Sequence, residues 1–268
     1  MPPTAFQDGH RRLFHWQAFN AEWLADSLAG RSVYCSRPGD FNDPWDCKPF
    51  FNADILRDPD ENEKHIAWAV DICRRRTPMS ERDIENMRSS LRNDLPKAMG
   101  LMREISDSMA EAIDRQYRVY CLGPDVGNLL MWSHYADRHK GVCLEFDLRN
   151  DVMCGALRCE YLDSFSFMRL HDPGEEQNLR ILLAKASQWS YEKEYRLVSQ
   201  ERAHAVNTGT LLTEGRFLAL PEGALVSVIV GCQGDYDRVR GLVEDLAPNV
   251  KVKRAVRVPN QYAISIVE

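Results

Sequence analysis

Residues 60–116 differ from everything around them. Proline and glycine are sparse there and charge is dense. Apolar residues return at helical spacing: Ile66, Val70 and Cys73, then Ile84, Met87, Leu91 and Leu95, then Leu101, Ile105, Met109 and Ile113. That period puts the apolar side chains on one stripe and leaves the charges on a solvated face. Two or three helices are expected, with breaks near Pro78 and Pro96, because proline lacks an N–H and clashes with the preceding turn. On either side the pattern reverts to strand-like runs. The stretch therefore reads as a helical insertion, about 58–116, in a domain built on strands.

Strands are expected at 13–16, 32–36, 117–122, 142–147, 157–161, 193–199, 217–220, 225–230, 250–256 and 263–267. Helices are expected after Asn20, which can cap one ending at Gly30, and at 129–138, 175–187 and 235–246. Strands and helices mix without strict βαβ alternation. The expected fold class is α+β: a single domain over 1–268, with a mixed, largely antiparallel sheet core carrying the helical insertion. A chain of 268 residues with 44% hydrophobic content can bury one large core.

A net charge of −6 argues against a general nucleic-acid or membrane-surface binder, although a local basic pocket keeps nucleic acid open as a partner. No apolar run approaches the roughly 18–20 residues of a membrane span, and the first residues lack the apolar stretch of a signal peptide. A cytoplasmic protein is expected, with its eight cysteines reduced and packed as small hydrophobes. No CxxC pair occurs, so no structural metal is expected.

Three polar signatures stand out. In the first, 41–46, Pro44 holds Asp43 extended, and Asn42 and Asp43 can bond their own backbone. Either this only fixes the loop, or Asn42, Asp43 and Asp46 face a ligand. In the second, 131–141, a helix would put Trp132, Tyr135 and His139 on one face and His134 elsewhere. The stripe is either core or the wall of a pocket that stacks on a ring, with His134 shuttling a proton. In the third, Lys185 and Trp189 precede 190–198, where a strand would set Glu192, Glu194 and Arg196 on one face, toward solvent or a cleft, and Tyr195 and Leu197 on the other. A glycine turn after 226–230 is weak as a phosphate site and reads as plain strand–turn–helix.

These signatures, with Leu13 to Trp16 ahead of them, resemble a bacterial family of unknown function related to the AbiGi-type abortive-infection proteins. The matching stretches are 13–16, 41–46, 132–141 and 189–196, so the resemblance runs nearly end to end, with nothing in the helical insertion. The layout also resembles a remote ADP-ribosyltransferase fold. That resemblance implies His15 on a first strand, Tyr34 or Ser36 on a later one, and Glu192 or Glu194 as the catalytic carboxylate, although the context around the glutamate departs from that pattern.

The implied chemistry uses NAD as substrate, for ADP-ribosyl transfer or hydrolysis of the nicotinamide bond, and suits a toxin or phage-defence effector. A carboxylate, Glu194 first and Glu192 second, would stabilise an oxocarbenium-like ribose. His15, Tyr34, Ser36, Asn42, Asp43, Tyr135 and His139 would contact substrate, and Arg196 or Lys185 would neutralise pyrophosphate. Two other readings stay open. One is a metal-dependent phosphodiesterase or nuclease using Asp43, Asp46, Glu192 and Glu194, with Lys185 or His134 assisting. The other is a non-catalytic nucleotide-sensing or antitoxin-like protein whose 60–116 helices meet a macromolecular partner.

Overall fold

A computed structural model describes residues 2–165, 169–171, 174–205 and 210–268. Strand β1 is Arg12–Gln17, followed by helix α1 (Ala21–Leu28) and β2 (Ser32–Tyr34). Asn20 caps α1 as expected, its side-chain oxygen accepting from the backbone N–H groups of Glu22 and Trp23. The insertion forms three helices, α2 (Pro59–Arg76), α3 (Glu81–Asn93) and α4 (Leu95–Gln116). The break expected near Pro96 falls at Asp94, two residues earlier, because proline in the first turn of α4 loses no hydrogen bond that a helix would make.

The chain continues through β3 (Tyr117–Leu122), α5 (Leu129–Tyr135), β4 (Val142–Asp147), β5 (Leu157–Arg158), β6 (Glu160–Leu162), α6 (Gly174–Leu183), β7 (Ala184–Ala186) and β8 (Tyr195–Glu201). It ends with β9 (Leu211–Glu214), β10 (Phe217–Ala219), β11 (Leu225–Val230), α7 (Tyr236–Leu246), β12 (Lys251–Arg257) and β13 (Ile264–Val267). The fold is α+β, as expected. One sheet has the order β1-β4-β11-β12-β13; the other has the order β2-β10-β9-β8-β3, with β5 also paired to β8. Pairing is antiparallel except for β11 with β12, β8 with β9, and the separate pair β6 with β7. No helix of the described residues is long and apolar enough to cross a membrane.

Strands β1 and β3 are the adjoining edges of the two sheets. They meet at Phe14 and Gly123, which exchange backbone hydrogen bonds of 2.9 and 2.8 Å. The main core lies among the sheets, α1 and α7, and includes Leu144, Phe146, Leu197 and Val228. Helices α2–α4 form a second core around Ile66, Met102 and Ile113, together with Ile181 and Leu182 of α6. All eight cysteines are unpaired, and Cys35, Cys47, Cys143 and Cys159 are buried.

Two helices are shorter than expected. Helix α5 stops at Tyr135, not Arg138, because Asp137, Arg138 and His139 adopt φ of 41°, 54° and 67°. Left-handed backbone costs an L-residue roughly 1–2 kcal/mol. Here it is held by hydrogen bonds from Arg138 N to Ser133 O (3.3 Å), His139 N to Trp132 O (3.1 Å) and Gly141 N to Ala136 O (2.8 Å). Gly231 presses against this turn: a Cβ there would sit 2.2 Å from the His139 carbonyl oxygen. Gly231→Ala is therefore expected to lose about 1–3 kcal/mol or more, read as a lower urea midpoint. An unchanged midpoint would rule out the close approach. Helix α6 likewise ends at Leu183, before the expected Ser187, so Lys185 stands on strand β7.

Candidate active site

A cleft of about 360 Å³ opens where the two sheets adjoin. Its lining includes His15, Tyr34, Ser36, Asn42, His134, Tyr135, Lys185, Glu192 and Glu194, so residues of all three polar signatures converge. Asp43, His139 and Arg196 do not line it. Sequence reasoning missed Asp40, Phe41, Tyr120, Cys121 and Met131, which do. Tyr120 and Cys121 lie on a strand read as core, and nothing in the sequence distinguishes a core residue from one beside a cleft floor.

The first sheet contributes His15. Its Nδ1 lies 2.8 Å from the Cys121 carbonyl, and its ring stacks on Tyr120 at 4.2 Å between centroids. A carbonyl only accepts, so Nδ1 carries the hydrogen. Burial lowers the pKa to about 4, against the opposing effect of that hydrogen bond, so the ring is neutral near pH 7. The second sheet contributes Tyr34, whose hydroxyl accepts from Arg216, and Ser36, whose backbone pairs with Val119.

Glutamates 192 and 194 do not sit on one strand face. Residues Ser187–Glu192 form a tight 3₁₀ turn that ends at Lys193 with φ 50°, and β8 begins only at Tyr195. The turn swings both carboxylates onto Lys185. Its Nζ bonds Glu192 Oε2, and donates to Glu194 Oε2 at 2.7 Å. The Tyr135 hydroxyl donates to Glu192 Oε1 at 2.7 Å. Arg196 was expected on a face toward solvent or a cleft; it is fully buried. Its guanidinium is bidentate to Asp46 at 2.9 and 2.7 Å, and donates to Glu194 Oε1 at 2.8 Å and to the Leu182 carbonyl at 2.7 Å. With its donors so committed, Arg196 has nothing left for a pyrophosphate.

The two glutamates are thus held differently. For Glu194, burial alone would raise the pKa, but Arg196 and Lys185 outweigh it and hold the carboxyl far below the usual range. For Glu192, burial raises the pKa, with Lys185 opposing and Glu194 adding to the rise. For Lys185, burial alone would lower the pKa, but Glu194 and Glu192 outweigh it and keep the ammonium charged. Two cations, Lys185 and Arg196, thus face three carboxyl groups, Asp46, Glu192 and Glu194, in one buried network. Whether that network is neutral or carries one excess negative charge depends on the proton of Glu192.

Asp43 supports this arrangement from behind. Its Oδ1 accepts from Trp45 N (2.9 Å) and its Oδ2 from the Trp189 indole (2.7 Å), which ties the first signature to the third. Exposed His134 contacts the rings of Trp189 and Tyr191, each at 6.4 Å between centroids. His139, expected to share a helix face with Trp132, lies beyond the helix end yet stacks on Trp132 at 6.4 Å with planes 10° apart.

Fold and site together define an α+β protein with a carboxyl-bearing cleft at the seam of two sheets. Residues 131–197 match the model of a family described as "Protein of unknown function (DUF2971)". That segment contains the second and third signatures, and with them Tyr135, Lys185, Glu192 and Glu194. No curated protein and no solved structure matches the chain.

Proposed function

We propose that this protein consumes NAD, breaking the bond between nicotinamide and ribose by ADP-ribosyl transfer or hydrolysis, in the manner of an ADP-ribosyltransferase-like effector of toxin or phage-defence type. The observation that carries this reading is the convergence of His15 from one sheet, and Tyr34 and Ser36 from the end of β2 in the other, on a cleft that holds Glu192 beside Glu194. Cleavage develops positive charge on the ribose, and a carboxylate in a site poor in water stabilises that charge strongly. Glu192, in its ionised form, is the group for this role. Its proton is the adjustable one, and Tyr135 and Lys185 orient its two oxygens. Glu194, pinned by Arg196 and Lys185, acts as a positioning residue. Neutral His15 offers Nε2 as an acceptor, and its ring with Tyr34 forms apolar wall for a planar base.

The cleft volume falls within the range of small-molecule sites, about 300–1,000 Å³. A metal-dependent phosphodiesterase is less well supported, because Asp46 and Glu194 already give their oxygens to Arg196 and Lys185, the cations that a metal ion would have to replace. A nucleotide sensor would use the same cleft without turnover.

The test is incubation of purified protein with NAD, alone and with cell lysate as acceptor, following nicotinamide by chromatography. Release is expected, reduced about 10²-fold in His15→Ala through loss of positioning. Binding of NAD without release would shift the reading to a sensor, and neither binding nor release would end it.

A further inference from the structure

Away from the cleft, Glu61, His65 and His171 form a second polar cluster. Each offers one ligand atom, and these atoms lie within 4.8 Å of one another. Glu61 and His65 are one turn apart on α2, so their side chains share a face. His171 comes from a segment far along the chain, and its Nε2 is 3.2 Å from Glu61 Oε2.

His65 is the residue that a plain salt-bridge cluster does not explain. It is fully buried. Its Nδ1 lies 2.7 Å from the Glu61 backbone carbonyl, so Nδ1 carries the hydrogen and Nε2 of the neutral ring presents a lone pair. That Nε2 is buried with no hydrogen-bond partner among the described residues. A buried unpaired polar atom is a free-energy penalty that folded proteins seldom leave in place. The His171 ring packs edge-on against His65 at 4.6 Å between centroids. An imidazole whose second nitrogen donates to a backbone carbonyl is also in the tautomer that metal-binding histidines adopt.

We propose that Glu61, His65 and His171 bind a divalent transition-metal ion of the zinc class, as a two-histidine, one-carboxylate site with water in the fourth position. Imidazole nitrogen and carboxylate oxygen are the donors zinc takes, at about 2.0–2.2 Å. The candidate ligand atoms, within 4.8 Å of one another, must draw together to reach that geometry. Two cations compete for the carboxylate, Lys64 at 3.0 Å from Oε1 and Arg169 at 3.7 Å from Oε2. Both side chains are more than half exposed and free to swing into solvent when the ion enters. The ion would tie 169–171 to the helical insertion, a link between segments more than a hundred residues apart.

The experiment uses the full chain, stripped with a chelator and titrated with Co²⁺ and then Zn²⁺. One equivalent of Co²⁺ is expected to give the visible d–d bands of four-coordinate cobalt, which Zn²⁺ then displaces, and Zn²⁺ is expected to raise the melting temperature. Glu61→Gln and His171→Gln alter half-buried side chains, so both variants are expected to fold. Each should weaken binding by more than the roughly 10–100-fold that outer-shell partners carry. His65→Gln is the third variant, checked first for native circular dichroism. Absence of saturable binding in the wild type overturns the proposal, and so does binding that survives in both Glu61→Gln and His171→Gln, which would place the ion elsewhere, on cysteines for instance.

Discussion

Arg196→Met is expected to lower folding stability by about 3–5 kcal/mol, the usual consequence of removing one partner from a buried ion pair. The arginine is entirely buried and its guanidinium holds Asp46, Glu194 and a carbonyl of α6 together. Methionine fills similar volume but leaves the Asp46 and Glu194 carboxylates with Lys185 as their remaining nearby cation. The measurement is urea unfolding, with the midpoint shift read at constant slope. Adding Glu194→Gln to Arg196→Met should recover part of the loss, since one stranded charge is then removed. A loss below about 1 kcal/mol for the single variant would mean that the network contributes little to the fold.

Glu192→Gln is expected to reduce nicotinamide release by about 10²–10⁴-fold, the range associated with a positioned acid or base, while the protein stays folded. Glutamine's oxygen can still accept from Lys185 while its amide N–H donates to the Tyr135 hydroxyl oxygen, so the local geometry survives. Glu194→Gln should behave differently: it removes an ion partner from both Arg196 and Lys185, and activity and stability should fall together. Wild-type-like turnover in Glu192→Gln would remove Glu192 from the chemistry.

A pH series adds an independent reading. The folded-state pKa of Glu192 is raised, chiefly by burial. The fold therefore favours the protonated acid, and this group lowers stability as pH rises above its unfolded value. Glu192→Gln removes that dependence, so the stability of the variant relative to wild type should improve as pH rises from about 4 into the neutral range.

Much of the fold was legible in the sequence because its signals are local. The spacing of Ile66, Val70, Ile84 and Leu91 gives helices whatever surrounds them, and Asn20 caps α1 through bonds to residues two and three ahead. The two helices read too long failed for tertiary reasons. Residues 137–139 have no glycine, and their left-handed backbone is held by bonds back to α5 and by the Gln233 N–H on the His139 carbonyl (3.0 Å), a partner far along the chain that periodicity does not register. Lys185 continues the helical pattern of α6 but pairs as a strand with Tyr161.

The site was legible as residue types and illegible as geometry. Glu192, Glu194 and Arg196 were read as alternating positions on one strand. In fact the left-handed Lys193 turns the chain between the two glutamates, and Arg196 faces inward. The Asp43–Trp189 bond spans 146 positions, so nothing local could suggest that the first and third signatures were one structure.

The odd number of charges in the Lys185 network bears on how the protein can change over generations. Five ionisable side chains share one enclosed space, so a replacement at one alters the conditions under which the other four are acceptable. Neutralising Lys185 alone strands Glu192 and leaves Arg196 to serve both Glu194 and Asp46; neutralising Lys185 and Glu192 together removes one charge of each sign. Residues 46, 185, 192, 194 and 196 should therefore drift as a linked set across descendants, in charge-matched pairs, while their neighbours on the cleft wall vary one at a time.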